Sequence, residues 1–123
     1  MTAARSEQKQ DAAAYRAMAL EYQRLCAEHP HRKRCINARD AGLRAFGISL
    51  VDLLSDSRKH HIASPRMKIM AATVVLTGVN HSAVGREFER WQSTVSHAVS
   101  LYGDDVRRAL KGFPTRNGEM IAS

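Results

Sequence analysis

The pattern of hydrophobic and polar positions predicts a chain built from helices. Apolar residues recur at steps of three and four over about 6–29, 37–46 and 93–111, which is the spacing of one face of a helix. Shorter apolar runs follow Ser49 and Pro65. The sequence shows no strand pattern, no internal repeat and no low-complexity segment. The predicted fold class is therefore all-α, a helical bundle.

Helix start and stop signals place the boundaries of these elements. Asn37 and Ser49 are expected to cap the helices that follow them, and Gly47 lies where the first of these ends. Ser64–Pro65 predicts the start of the next helix, because Ser accepts free N–H groups and Pro at the first helical position loses no hydrogen bond. Gly78 is the expected stop of that helix. The predicted core positions of these helices are Leu50, Leu53, Leu54, Met67, Met70, Ala71, Val74 and Val75.

The first helix, over about 6–29, is rich in good helix formers and ends before Pro30. Its apolar face is marked by Tyr15, Met18, Ala19, Tyr22, Leu25 and Cys26. Such a face is buried either against the rest of the chain or against another molecule, and its spacing does not separate the two interpretations. Packing within the chain and a homodimer or partner complex through this helix both stay open.

A helix-turn-helix pattern follows over residues 80–99. Asn80 is a good N-cap, Val84 and Phe88 fall one turn apart, and Gly85 allows a close approach between helices. A second start signal at Gln92–Thr94 opens a longer helix, in which Gly103 permits a break. Its apolar positions are Val95, Ala98, Val99, Tyr102, Val106 and Leu110. In this motif, residues at the start of the second helix meet base edges in the major groove.

The charge of the chain favours a polyanionic partner. Lys and Arg total 19 against 12 Asp and Glu, with a formal net charge of +7 and a pI near 10.0. A positive excess suits nucleic acid, a membrane surface or plain solubility. No apolar run approaches the ~20 residues of a membrane span, and residues 1–10 lack the apolar region of a secretory signal. We therefore expect a cytoplasmic, nucleoid-associated protein with no membrane partner.

Catalytic motifs are missing from the sequence. It contains no Gly-rich phosphate loop of the form GxxxxGK(S/T), no HExxH and no nucleophile elbow. Acidic residues such as Glu87 and Asp104 are scattered or predicted on exposed helix faces, not paired for acid–base work. The sequence thus predicts a protein that is not an enzyme and uses no cofactor or small-molecule substrate.

The amino-acid sequence of the helix-turn-helix segment, VGREFERWQSTVSHAV, resembles that of the C-terminal DNA-binding domain of the bacterial DnaA family. The family pattern has a β-branched residue, Gly, two residues and Phe, then a basic turn, Thr-Thr-Val, one residue, His and Ala. The matching positions are Val84, Gly85, Phe88, Arg90, Ser93, Thr94, Val95, His97 and Ala98. The resemblance extends over about 46–110, and the short turn is similar to that of small alphaproteobacterial DnaA-like regulators. It implies a DnaA-type, Trp-repressor-like helix-turn-helix.

The resemblance also implies roles in DNA binding. Arg58 falls where the family carries the arginine that enters the minor groove, which attracts guanidinium groups where it is narrow and A·T-rich. Arg66 matches a phosphate-contacting arginine at a helix start. The full set of expected DNA contacts is Arg58, Lys59, His60, Arg66, Arg90, Trp91, Gln92, Ser93, Thr94 and His97. Trp91 and Gln92 replace the family's acidic residue and His or Arg, so the DNA sequence read should differ from the usual initiator site.

A group of thiols and imidazoles lies near the basic bend after the first helix. Cys26, His29, His31 and Cys35 could hold a zinc ion in principle, although their spacing matches no common zinc pattern. Two cysteines in a cytoplasmic protein are more often reduced thiols. The prediction is therefore no metal, with these four residues as a weak alternative.

These observations divide the chain into three predicted parts. Residues 1–34 form the N-terminal helix and a basic bend, 35–112 the DnaA-like helix-turn-helix domain, and 113–123 a mobile tail. The predicted function is sequence-specific binding of double-stranded DNA, for transcriptional regulation or replication control at initiator-like sites. The alternative is a protein-interaction adaptor, or a phage or plasmid factor, whose N-terminal helix docks a partner while DNA binding stays non-specific.

Overall fold

Six α-helices form the part of the chain that the computed structural model describes, residues 2–114 and 120–122. In chain order they are α1 (Thr2–Glu28), α2 (Arg34–Phe46), α3 (Leu50–Leu54), α4 (His60–Thr77), α5 (His81–Phe88) and α6 (Gln92–Ala109). No β-strand occurs within these described ranges. The predicted all-α helical bundle is confirmed.

The helix α4 lies at the centre of the bundle. It packs against α2, α3, α5 and α6, and every residue from Ile69 to Thr73 is buried. Two buried hydroxyls are satisfied within the helix, since Thr73 Oγ1 donates to the Ile69 carbonyl and Thr77 Oγ1 to the Thr73 carbonyl, both at 2.7 Å. A helix covered on several sides is apolar around most of its circumference, which explains why α4 shows no clear apolar stripe.

The N-terminal helix α1 packs on α2 and α6 of its own chain. Its apolar face is buried there, comprising Tyr15, Met18, Ala19, Tyr22 and Leu25. The structure therefore supports packing of this face within the chain. A homodimer or partner complex through this helix stays a prediction. Leu20, which is 61% exposed, points the other way. No helix in the described residues, the 27-residue α1 included, has the length and apolarity needed to cross a membrane.

A buried lysine joins α1 to the centre of the fold. Lys68 of α4 is only 6% exposed, and its Nζ lies 2.9 Å from Asp11 Oδ2 and 3.5 Å from Glu7 Oε1, both carboxylates of α1. The ammonium group also lies 5.6 Å from the ring centroid of Tyr102 in α6. The pairing keeps a desolvated charge neutralised. Sequence patterns do not indicate this ion pair, because the partners are more than fifty residues apart.

Three helix starts differ from prediction, since α1 begins at Thr2, about four residues before the predicted start, and α2 and α4 also begin earlier. Asn37 is not an N-cap, because α2 already begins at Arg34, and the buried Asn37 amide accepts a hydrogen bond from Arg32 Nε at 2.6 Å. Likewise α4 begins at His60 and not at Ser64, so that Pro65 lies inside the helix. The additional turn buries the side chain of Ile62. The free energy of this burial offsets the helical hydrogen bond that is lost because Pro65 has no N–H.

The predicted stops at Gly47 and Gly78 and the predicted caps at Ser49 and Asn80 are confirmed. Gly47 and Gly78 follow α2 and α4 in the left-handed region, with φ of 69° and 67°. Ser49 Oγ accepts the Asp52 N–H at 3.1 Å, and Asn80 Oδ1 accepts the Ala83 N–H at 2.9 Å. The helix α6 runs through Gly103 without a break.

The segment predicted as a mobile tail, 113–123, is partly ordered. The Gly112 N–H donates to the Ile121 carbonyl and the Ile121 N–H to the Phe113 carbonyl, both at 2.9 Å. The side chain of Ile121 is buried, so apolar burial draws the chain back onto the bundle. The rest of that prediction, residues 115–119 and 123, lies outside the described residues.

Candidate DNA interface

The helix-turn-helix consists of α5, a turn over residues 89–91, and α6. Glu89 adopts the left-handed conformation with φ of 53°, and the Arg90 N–H donates to the Gly85 carbonyl at 2.8 Å. A Cβ built on Gly85 would lie 2.5 Å from the Arg90 carbonyl oxygen. Glycine is therefore required at this position by the close approach of the turn, as its place in the sequence suggested.

Apolar burial and one polar contact fix the orientation of the two helices. Val84 and Phe88 of α5 and Val95 and Ala98 of α6 are fully buried, which leaves the opposite side of α6 to solvent. A hydrogen bond of 2.7 Å joins His81 Nδ1 to Ser96 Oγ across the two helices. Sequence patterns do not indicate this contact, because the two residues are 15 positions apart.

The start of α6 is accessible to solvent. Trp91, Gln92 and Ser93 are exposed, and with Ser96 they line one open surface depression. Trp91 is 83% exposed, so it does not pack under the turn as a core residue. Within the described residues, no side chain caps α6. The N-terminal N–H groups of α6 can therefore bind an anion such as a phosphate.

Thr94 and His97, which are also predicted to contact DNA, follow Ser93 in α6. Thr94 is half-buried and His97 is exposed. The Thr94 N–H donates to the Trp91 carbonyl at 3.0 Å, which begins the helix.

The basic loop, which we define as residues 55–59, lies between α3 and α4. Arg58 and Lys59 are exposed, as is His60 at the start of α4. Within the loop, the Ser57 N–H donates to Ser55 Oγ and the Lys59 N–H to Ser57 Oγ, both at 3.3 Å. These serine bonds shape a loop that leaves its cations in solvent.

The predicted phosphate contact of Arg66 is not compatible with its position. The residue is 6% exposed and lies inside α4, not at its start. Its guanidinium donates to the carbonyls of Leu53 at 2.8 Å and of Asp52, Ser55 and Ser57 at 3.0 Å. Burial lowers the pKa of this guanidinium, and the nearby charge of Arg90 lowers it further. The physical reason is that carbonyls at the end of α3 lack helical partners and must be satisfied by other donors.

Arg90 is also engaged by the protein. It is half-buried, and its guanidinium donates to the carbonyls of Phe88 at 3.3 Å and Glu89 at 3.1 Å within the turn. A third bond reaches the Ser55 carbonyl of the basic loop. The turn and the loop are thus connected through one arginine side chain.

The four residues of the weak zinc alternative do not form a metal site. Cys26 Sγ accepts a bond from Asn37 Nδ2 at 3.5 Å, and Cys35 is buried in the core, where desolvation raises the pKa of its thiol. No three His, Cys, Asp or Glu side chains converge as a metal site anywhere in residues 2–114 and 120–122. Both cysteines are free thiols.

A short α5, a three-residue turn and a longer α6 with an exposed first turn define a helix-turn-helix DNA-binding domain. The family model of the bacterial DnaA protein helix-turn-helix matches residues 42–101. Over that segment, the chain is similar to the DnaA C-terminal DNA-binding domains.

A curated relative shows the same similarity. The chromosomal replication initiator protein DnaA of Desulfotalea psychrophila is 37% identical over 72 residues. The matched segment is 58% of this chain and 15% of the initiator's length. No solved structure matches the chain significantly.

Proposed function

We propose that this protein binds specific sequences in double-stranded DNA, and that it regulates transcription or controls replication at initiator-like sites in the cytoplasm. The observation that carries the proposal is the first turn of α6. Trp91, Gln92 and Ser93 are exposed there and take no part in the hydrophobic core. Side chains at this place in a helix-turn-helix are the ones that reach base edges.

Each exposed side chain suits a different kind of contact. The Gln92 amide can bond adenine through two hydrogen bonds, and the Thr94 methyl group can pack on a thymine methyl. The Trp91 ring can lie on a sugar or base, and Arg58 can enter the minor groove. His97 suits a phosphate contact. Since Trp91 and Gln92 depart from the family pattern, we expect a target sequence distinct from the usual initiator site.

Selection of bound duplexes from a random library, at near-physiological salt, tests the proposal directly. A recovered motif of several base pairs is the expected result, with affinity roughly 10³-fold or more above that for random DNA. Affinity should also fall steeply with salt, because bound phosphates release counterions. Binding that is salt-sensitive but shows no sequence preference would contradict sequence reading and favour the alternative of a non-specific DNA tether.

Thr94→Ser tests whether the threonine methyl group reads a base. We expect a loss of about 1 kcal/mol or more on the selected site and little change on random DNA. Ser100→Ala, at an exposed position further along α6, is the matched control and should leave both affinities unchanged. Equal losses on specific and random DNA would show that Thr94 does not read bases. Because Thr94 is half-buried, the unfolding midpoint of each variant should be measured alongside.

A further inference from the structure

We infer that Arg66 and Arg90 are positioning residues, which hold the basic loop at a fixed place relative to the turn of the helix-turn-helix through the carbonyl of Ser55. The inference rests on the proposed function, in which the loop and the start of α6 meet the same DNA. It differs from the roles that the resemblance implied, in which both arginines touch DNA directly.

The Arg66 guanidinium binds the basic loop to α4. Its Nη1 donates to the Ser57 carbonyl at 3.0 Å, and its Nη2 to the Ser55 carbonyl at 3.0 Å. The same Nη2 lies 3.4 Å from Ser55 Oγ. A planar fork of five donors is suited to several acceptors at once. With its side chain buried in the bundle, Arg66 attaches the loop to α4, the central helix.

The Arg90 guanidinium binds the basic loop to the turn of the helix-turn-helix. It donates within the turn to the Phe88 and Glu89 carbonyls, and across to Ser55, which is 35 positions earlier in the chain. The Ser55 carbonyl therefore accepts from both arginines, and its two lone pairs allow that. Two like-charged groups converge on one acceptor, an arrangement that a merely solvated arginine would not adopt.

The consequence for DNA binding is preorganisation. Reading a minor and a major groove together requires the loop and α6 to hold one separation. A loop that is ordered before binding loses less conformational entropy on binding. In this arrangement Arg58 lies on a loop whose backbone is held at Ser55 by both arginines and at Ser57 by Arg66. Arg90 thus acts on the minor groove through Ser55 and Arg58.

A double-mutant cycle between Arg58 and Arg90 distinguishes positioning from direct contact. Affinities of the full chain are measured on the selected site with A·T-rich and with G·C-rich flanks, for Arg58→Ala, Arg90→Ala and the double variant. We expect Arg90→Ala to abolish the flank preference as Arg58→Ala does, and the double variant to bind within about twofold of Arg58→Ala. Arg86→Ala, which removes an exposed arginine from α5, is the matched control and should keep the flank preference.

Direct phosphate contact by Arg90 predicts the opposite pattern. The loss would be equal on both flanks, would multiply with that of Arg58→Ala, and would reduce the salt slope by about one. Arg90→Lys adds a conservative test. A lysine serves a phosphate but cannot span three carbonyls, so positioning requires Arg90→Lys to behave like Arg90→Ala. Wild-type behaviour of Arg90→Lys would overturn the inference.

Hydrogen exchange in the DNA-free protein gives an independent readout. We expect Arg90→Ala to speed amide exchange at Ser57 and Lys59 with no change in the exchange of the α4 core, whereas Arg86→Ala should leave the loop unchanged. Unchanged exchange in Arg90→Ala would overturn the inference. If the wild-type protein shows no flank preference, the minor-groove part of the proposed function fails, and the exchange data still decide whether Arg90 orders the loop.

Discussion

Tyr15 is one of the largest fully buried side chains of the protein, and it places a hydroxyl group in the interior of the bundle. Its ring packs at a tilt against Phe46, with 5.6 Å between centroids. Among the described residues, its hydroxyl has no hydrogen-bond partner. Burial of the hydroxyl, together with the nearby charges of Asp11 and Asp105, raises the pKa of Tyr15 well above its usual range. An unsatisfied buried hydroxyl costs stability.

We expect Tyr15→Phe to leave the free energy of unfolding unchanged or to raise it by about 1 kcal/mol, because it removes that unsatisfied group. The variant should also be less sensitive to alkali. A raised pKa in the folded state means that the unfolded chain loses this proton first, so stability falls as pH rises above about 10. Urea unfolding at pH 8 and near pH 10.5 measures both effects. Tyr102→Phe, at a half-buried ring, is the comparison variant.

A clear loss of stability in Tyr15→Phe at pH 8 would mean that the hydroxyl has a partner in solution. An undiminished alkaline loss would show that other groups cause it. The buried Cys35 thiol is one such group, since burial raises its pKa in the same direction.

At the scale of elements, the turn between α5 and α6 depends on the missing side chain of Gly85. We expect Gly85→Ala to destabilise the protein by about 1–3 kcal/mol, because its Cβ would meet the Arg90 carbonyl oxygen, a backbone atom that cannot move independently. Specific DNA affinity should fall with it, since the turn sets the position of α6. Denaturant unfolding and binding to the selected duplex measure the two losses.

Gly103→Ala is the matched control within α6. A Cβ there would meet only the ends of the Arg107 and Val99 side chains, both at 3.2 Å. Alanine also raises helix propensity by about 1 kcal/mol over glycine. We therefore expect the stability of Gly103→Ala to stay within about 1 kcal/mol of wild type. Equal stability of the two variants would contradict the close approach at Gly85.

At the scale of the whole molecule, α1 completes the core of the DNA-binding domain. It buries Tyr15, Met18, Tyr22 and Leu25 against α2 and α6, and it neutralises Lys68. Each large apolar side chain is worth roughly 1.5–3 kcal/mol on burial. Their sum is comparable with the about 5–15 kcal/mol that stabilises a typical domain.

We therefore expect a chain that lacks residues 1–28 to lose cooperative unfolding and specific DNA binding. Circular dichroism during urea titration, with binding to the selected duplex, measures both. Leu20→Glu, on the exposed face of α1, should fold normally and serves as the control. Cooperative folding of the truncated chain would instead support the predicted boundary near residue 34 as a division between units.

Local features could be predicted from the sequence because the groups that form them lie within a few residues of each other. The caps at Ser49 and Asn80 each bond an N–H three residues away, and the left-handed glycines at 47 and 78 follow apolar periodic stretches. The start of α6 was also recognised, since exposed polar residues precede the buried Val95. Periodicity, capping and turn chemistry act over one helical turn, so one sequence reveals them.

The sequence by itself determined the helices, most of their ends, the helix-turn-helix and the similarity to DnaA C-terminal domains. Only the tertiary structure decided that α1 is part of the core, that Lys68 pairs with α1, and that Arg66 and Arg90 hold carbonyls. The sequence does not distinguish an arginine that contacts a phosphate from an arginine that bonds a carbonyl at the end of a helix. The partner of the arginine is chosen by packing between segments far apart in the chain, and single-residue patterns carry no information about that choice.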